Sequence, residues 1–251
     1  MSLNDLKLTK NKFYFAHRGA PWIEKENTIP SVVKAIDLGC DGIEIDVRRT
    51  KDNKIIIFHD DYIIFHNLHC KVSKLTYSQI KQIMKENQRP QPALFNYILP
   101  IIKKNPSIIF NIEIKSKDIN NHFIINYIKK ELIDNKILNQ CIISSFNYLL
   151  LLQIRWKFKS VSLGLIMGRK RLAQKTQWIN ILLIKILRPQ FIHANGEFLS
   201  DKLLRWLRKN EFGISVYTIN TKNILKKMIE RGLLVFFTDN HTFYSNKTSK
   251  D

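Results

Sequence analysis

Short β-rich runs alternate with longer helical stretches from one end of this 251-residue chain to the other, and no Pro-, Gly- or Ser-rich linker interrupts them. The runs are Phe13 to His17, Gly42 to Val47, Ile108 to Lys115, Cys141 to Ser145, Val161 to Met167, Gln190 to Ala194, Gly213 to Ile219 and Leu234 to Asp239. Alternation of this kind is the pattern of a parallel α/β fold, because parallel strands need crossovers of a dozen or more residues, usually helical. A ninth run, Ile55 to His59, follows the second too closely for such a crossover. It must return antiparallel, as a hairpin appended to Gly42 to Val47.

The helical stretches carry start and stop signals. Thr28 stands where an N-cap belongs before Ile29-Pro30, apolar residues recur at Val32, Val33 and Ile36, and Gly39 falls at the C′ position. Further helices are expected within Ser78 to Lys85, Ala93 to Lys104, Asn121 to Asn135, Ser200 to Asn210 and Thr221 to Arg231. Eight parallel strands close a TIM-type (β/α)8 barrel. The expectation is therefore α/β: one TIM-barrel domain over residues 1–251, its core from about 13 to 240, with a β-hairpin extension after the second strand. Tyr62 to Leu75 reads as an irregular excursion and the tail from Tyr244 as frayed.

That hairpin also predicts chemistry. Ile43, Ile45 and Val47 alternate with Glu44 and Asp46, so both acids share a face. With Asp52-Asn53 as a two-residue turn, Lys51 pairs with Lys54 and Asp46 stands opposite His59. Catalytic groups of such barrels gather at the C-terminal strand ends. There the chain places His17-Arg18-Gly19, Glu44 and Asp46, Asn111, Glu113 and Lys115, and Ser144-Ser145.

Glu44, Asp46 and Glu113 are hard oxygen ligands suited to Mg²⁺ or Ca²⁺, and three acids on one rim repel one another strongly without a cation. His17 and His59 form a natural proton-transfer pair near neutral pH. Arg18 and Lys115 suit a phosphate, by a planar fork and a point charge respectively, or neutralise the acids. His66, His69, His122 and His241 lack such company and read as surface or loop residues. His193 ends a candidate strand and is assigned neither role.

Lys and Arg number 41 against 21 Asp and Glu, a formal net charge of +20. That balance favours anionic partners, namely phosphate esters, lipid headgroups or nucleic acid, without selecting among them. Three widely spaced cysteines exclude a disulfide framework and a thiolate zinc site, which places the chain in a reducing cytoplasm. Met1 to Asn11 lacks the apolar core of a signal peptide. The greasiest run, Trp178 to Leu187, is too short to span a bilayer, which takes about 20 residues; it reads as a core helix, with a membrane-touching one as the alternative.

In order along the chain, His17-Arg18-Gly19, Glu26-Asn27-Thr28, Asp41 to Val47, Thr50-Lys51-Asp52, His59-Asp60, Asn111 to Lys115, Ser144-Ser145-Phe146, Tyr217 to Asn220 and Thr238-Asp239 resemble the glycerophosphodiester phosphodiesterase family. The resemblance runs from Phe13 to about Asn240. It implies a TIM barrel that hydrolyses glycerophosphodiesters to sn-glycerol 3-phosphate and an alcohol with a divalent metal. It further implies Glu44, Asp46 and Glu113 as metal ligands, His17 and His59 as general acid and base, and Arg18 and Lys115 as substrate contacts. Two positions depart from the family pattern. Asp61 to Lys71 replaces the usual Arg-Thr and Gly-Thr-Gly elements, and Tyr217 stands where Trp is usual, keeping an aromatic wall for the glycerol. Two rivals remain: hydrolysis of lysophospholipids at a membrane surface, and a catalytically silent barrel that binds anionic lipid or nucleic acid. The complete acid and histidine set argues against silence.

Overall fold

The computed structural model describes residues 11–168 and 177–245. Eight parallel strands, β1 (Phe13–His17), β2 (Gly42–Arg49), β6 (Ile109–Ile114), β7 (Cys141–Ser145), β8 (Ser162–Met167), β9 (Phe191–Asn195), β10 (Gly213–Tyr217) and β11 (Val235–Thr238), pair in that order, and β1 closes the ring by pairing with both β2 and β11. The architecture is a TIM barrel. Around it lie α1 (Ile29–Asp37), α2 (Tyr77–Glu86), α3 (Leu99–Lys104), α4 (His122–Asp134), α5 (Tyr148–Lys157), α6 (Gln177–Leu187), α7 (Asp201–Lys209), α8 (Lys222–Glu230) and the short α9 (Thr242–Ser245).

Helix α1 shows why the punctuation works. Thr28 is extended and its hydroxyl accepts from Ser31 N at 3.3 Å, while Gly39 takes φ +79° after the last turn and donates to Ile36 O. Val32 and Ala35 are buried against the barrel, whereas Val33 is exposed. In α6, Ile184 and Leu187 are fully buried while Leu182 and Ile186 are exposed. The Trp178 side chain lies outside the described residues. Among those residues no helix is long and apolar enough to cross a membrane.

The barrel interior is stacked in two layers. Phe13, Phe15, Ile109, Ile142, Phe191, Val235 and Phe237 form a buried apolar plug, with Phe15 and Phe237 stacked at 4.6 Å. Fully burying each such side chain stabilises the fold by about 1.5–3 kcal/mol. Two residues further along each strand, on the same face, come His17, Asn111, Ser144, His193 and Asp239. The plug is thus the floor on which a polar layer rests.

The hairpin differs from expectation by one residue. β3 (Ile55–Ile57) pairs antiparallel with β2 in the register Val47 to Ile57, because the loop has three residues: Thr50 N donates to Lys54 O at 2.9 Å and Asn53 adopts φ +60°. A three-residue hairpin loop with a left-handed last position absorbs the extra residue. Phe58, not His59, therefore stands at the level of Asp46, whose carbonyl it bonds at 2.9 Å.

Residues 62–75 are not irregular. β4 (Tyr62–Phe65) and β5 (Leu68–Lys71) form a second hairpin whose turn, His66-Asn67, has φ +47° and +63°. Ile63 turns inward between exposed Tyr62 and Ile64, and with Ile56, Val72, Ile80, Ile83 and Met84 it builds an apolar cluster apart from the barrel core.

Candidate active site

Strand register assembles the acids. In the barrel His17 pairs with Glu44, Glu44 with Asn111, Asp46 with Glu113 and Glu113 with Ser144, so inward-facing groups of four strands meet at one level. Glu44, Asp46 and Glu113 are buried, and each offers an oxygen within 4.8 Å of the others.

Each acid is held differently. Glu44 Oε2 accepts from Arg18 N at 3.0 Å, made possible by the left-handed backbone of Arg18, φ +60°. Glu44 Oε1 is buried with no hydrogen bond. Burial, then the neighbouring Asp46 and Glu113, push the Glu44 carboxyl well above the usual carboxylate range. Burial likewise raises Glu113, against the pull of the Lys115 ammonium at 2.7 Å. For Asp46, burial acts upward but Lys115 at 3.2 Å and Arg18 at 3.3 Å outweigh it and hold the carboxyl low. Three carboxylates thus face two cations, one of which, Arg18, also pairs with Glu26 at 3.1 Å. A buried set in which Glu44 Oε1 has neither a hydrogen bond nor an ion pair, with a deficit of positive charge, fits a divalent cation bound by oxygen donors.

Both histidines are anchored through Nδ1. His17 Nδ1 lies 2.7 Å from Asp239 Oδ1, and His59 Nδ1 lies 2.8 Å from Asp60 Oδ1. Asp239 is fixed in turn by Asn220, whose Nδ2 donates to Oδ2 at 2.6 Å and whose Oδ1 accepts from Asp239 N at 2.9 Å. Burial opposes ionisation of Asp239, but the bond and charge of His17 overcome it and keep the carboxyl low. His59 reaches the site because the chain leaves β3 at Ile57, so strand alternation no longer dictates its side. Its carbonyl is clamped by the Arg48 guanidinium at 2.8 and 2.6 Å. Burial lowers the His59 imidazole below its ordinary range, with Asp46 opposing.

His17, Arg18, Glu44, His59, Glu113, Lys115 and Tyr217 line one cavity of about 180 Å³; Asp46 sits behind it, bonded to Asn27. Phe146 and Tyr217, edge to face with centroids 6.3 Å apart, make an aromatic wall, and the Lys115 ammonium lies 5.4 Å over the Phe146 ring. His193 joins the floor, its Nδ1 bonded to Ser215 Oγ; burial depresses this imidazole to about 3 and keeps it neutral. The eight residues singled out from sequence converge here.

Four supports were given no role by the reading of strand ends. Asn27 spans Asp46 with two bonds, Nδ2 to Oδ2 at 2.8 Å and Oδ1 from the Asp46 N at 3.0 Å. Glu26 orients Arg18, and the Asp239–Asn220 pair orients His17. All four lie in loops, and their signal was the Glu26-Asn27, Tyr217 to Asn220 and Thr238-Asp239 motifs, in which residue spacing gives these four no role.

The chain belongs to the glycerophosphoryl diester phosphodiesterase family, whose model matches residues 17–242. This is an enzyme class of phosphoric diester hydrolases. Among its relatives, a glycerophosphodiester phosphodiesterase of Bacillus altitudinis is 24% identical over 90% of this chain and 93% of its own length. One from Caldanaerobacter subterraneus subsp. tengcongensis is 27% identical over 89% and 92%. Among solved structures, the glycerophosphodiester phosphodiesterase of Thermotoga maritima superposes with a TM-score of 0.74 at 24% identity, covering 94% of this chain and 98% of that one. An Oleispira antarctica phosphodiesterase, solved with the product sn-glycerol-3-phosphate, gives 0.72 at 21% identity, covering 97% and 98%. These structural likenesses concern the fold.

Proposed function

We propose that this chain hydrolyses glycerophosphodiesters to sn-glycerol 3-phosphate and an alcohol, with Glu44, Asp46 and Glu113 holding a divalent cation and His17 and His59 moving the protons. The observation that carries this reading is the paired anchoring of two imidazoles, each tied at Nδ1 to a carboxylate, at the cavity that the acid cluster lines. Anchoring at Nδ1 fixes the ring and its tautomer and leaves Nε2 to exchange a proton with the substrate. The bound cation supplies Lewis-acid polarisation of the phosphate. Arg18 and Lys115 offset the charge of the diester, one imidazole takes the proton of the attacking oxygen, from water or from the neighbouring glycerol hydroxyl, and the other delivers a proton to the departing oxygen; a cyclic phosphate formed by the second route is opened by water. Tyr217 and Phe146 wall the glyceryl carbons, in keeping with the glycerol phosphate held by the Oleispira relative.

The test is release of glycerol 3-phosphate from a panel of glycerophosphodiesters with added Mg²⁺ or Ca²⁺. Chelation should abolish release, and His59→Ala should cost about 10²–10⁴-fold in kcat. A parent-like rate in His59→Ala removes this histidine from the mechanism. Failure to hydrolyse any diester with either metal defeats the reading.

A further inference from the structure

The catalytic cavity continues past Lys115 into a groove of about 230 Å³ that shares Glu113, Lys115 and Phe146 with it, and into a smaller recess that also meets it at Lys115. Arg48, Asp61 and Lys117 line both spaces, and Arg49, Lys71 and Asp118 line the recess. Besides the shared Lys115 and Glu113, four cations therefore face two acids across the two spaces. Neither acid is available to a cationic ligand. Asp61 is clasped by both Arg48 and Lys117, and Asp118 pairs with Arg49 at 3.3 Å. Arg48 also grips the carbonyl of His59, so this groove adjoins the backbone of that residue, and Phe146 of the aromatic wall lines groove and cavity alike.

We infer that the groove receives the alcohol half of the substrate and selects for a negatively charged one. The inference rests on the diesterase reading above and names its substrate class: glycerophosphodiesters whose leaving alcohol bears a phosphate or carboxylate. A cavity with an aromatic wall suits the glyceryl half, and the groove that continues from it gives the second half a place to extend. A quaternary ammonium there would meet the excess positive charge with no unpaired carboxylate to receive it. A second anion would be drawn by that charge, and the attraction weakens with salt because Lys117 is exposed.

The experiment compares three diesters by loss of the diester phosphorus resonance: glycerophosphocholine, glycerophosphoglycerol and glycerophosphoglycerol phosphate. At low ionic strength the last should exceed glycerophosphoglycerol by about tenfold in kcat/KM, equivalent to about 1.4 kcal/mol of differential stabilisation, with the choline ester lowest. Added salt should shrink the gap. Lys117→Glu, at a side chain that is 79% exposed and so tolerant of change, should erase or invert the order, while Lys117→Arg keeps it. Equal kcat/KM across the panel, or an order unchanged in Lys117→Glu, overturns the charge selection and leaves diester hydrolysis standing. No turnover of any of the three overturns both.

Discussion

Asn27→Asp isolates the support beneath the carboxylates proposed to hold the cation by exchanging a single heavy atom. Asn27 is buried with φ +56°, a backbone that Asn and Asp both tolerate, so the substitution brings no new conformational strain. Its Oδ1 still accepts from the Asp46 N at 3.0 Å, but the donor 2.8 Å from Asp46 Oδ2 becomes an oxygen. The lost bond is charge-assisted, worth about 1.5–3 kcal/mol, and two carboxylates at that separation do not both ionise. Loss of this bond to a carboxylate that would hold the cation should lower divalent-cation affinity by about 10–100-fold. Without metal, a chain of this size loses about 2–4 °C per kcal/mol, so Tm should drop by about 3–12 °C. Isothermal titration with Mg²⁺ and Ca²⁺ reads the first effect and calorimetric unfolding the second. A variant with the parent's affinity and Tm would refute the idea that Asn27 supports Asp46 as a ligand.

Two further outcomes follow from buried and paired groups. Burial opposes ionisation of Asp61, but Lys117 and Arg48 outweigh it and depress the folded-state value, so its contribution is present above the unfolded value of about 3.9 and is lost as pH falls through the depressed one. The Tm gap between parent and Asp61→Asn should therefore be open at neutral pH and close in acid; a gap that widens in acid contradicts this sign. Cys40 and Cys141 are buried, and burial pushes the Cys141 thiol up, whereas Cys70 is half-buried on β5. A thiol reagent should label the native protein at Cys70 alone, and labelling that persists in Cys70→Ser would show that the barrel opens more readily than its packing implies.

Much of this site was legible because strand alternation is a rigid rule. Glu44 and Asp46, two apart between isoleucines, could only face the same way, and the register of β2 against β6 then set Asp46 beside Glu113. The errors arose where backbone conformation, not side-chain pattern, decides. Asn53 enters the left-handed region and lengthens its loop by one residue, a choice Asp52-Asn53 does not announce. His66-Asn67 makes the second tight turn without the glycine that usually marks one. The supports of the histidine on β1 were hidden for another reason: Asp239 lies 222 residues from His17, and only closure of the barrel between β1 and β11 brings them together.

Strand β2 concentrates these side chains on alternate positions, with Glu44 and Asp46 in the buried carboxylate cluster and Arg48 tethering the His59 carbonyl and Asp61. Its intervening residues, Ile43, Ile45 and Val47, are interchangeable greasy spacers in the outer core. Apolar side chains of similar volume can therefore exchange at those buried spacers, yet a single codon gained or lost between Glu44 and Arg48 would rotate every later member of the set to the helix side. The strand is permissive to spelling and intolerant of frame, and descendants of this chain should vary in the first respect while keeping the second fixed.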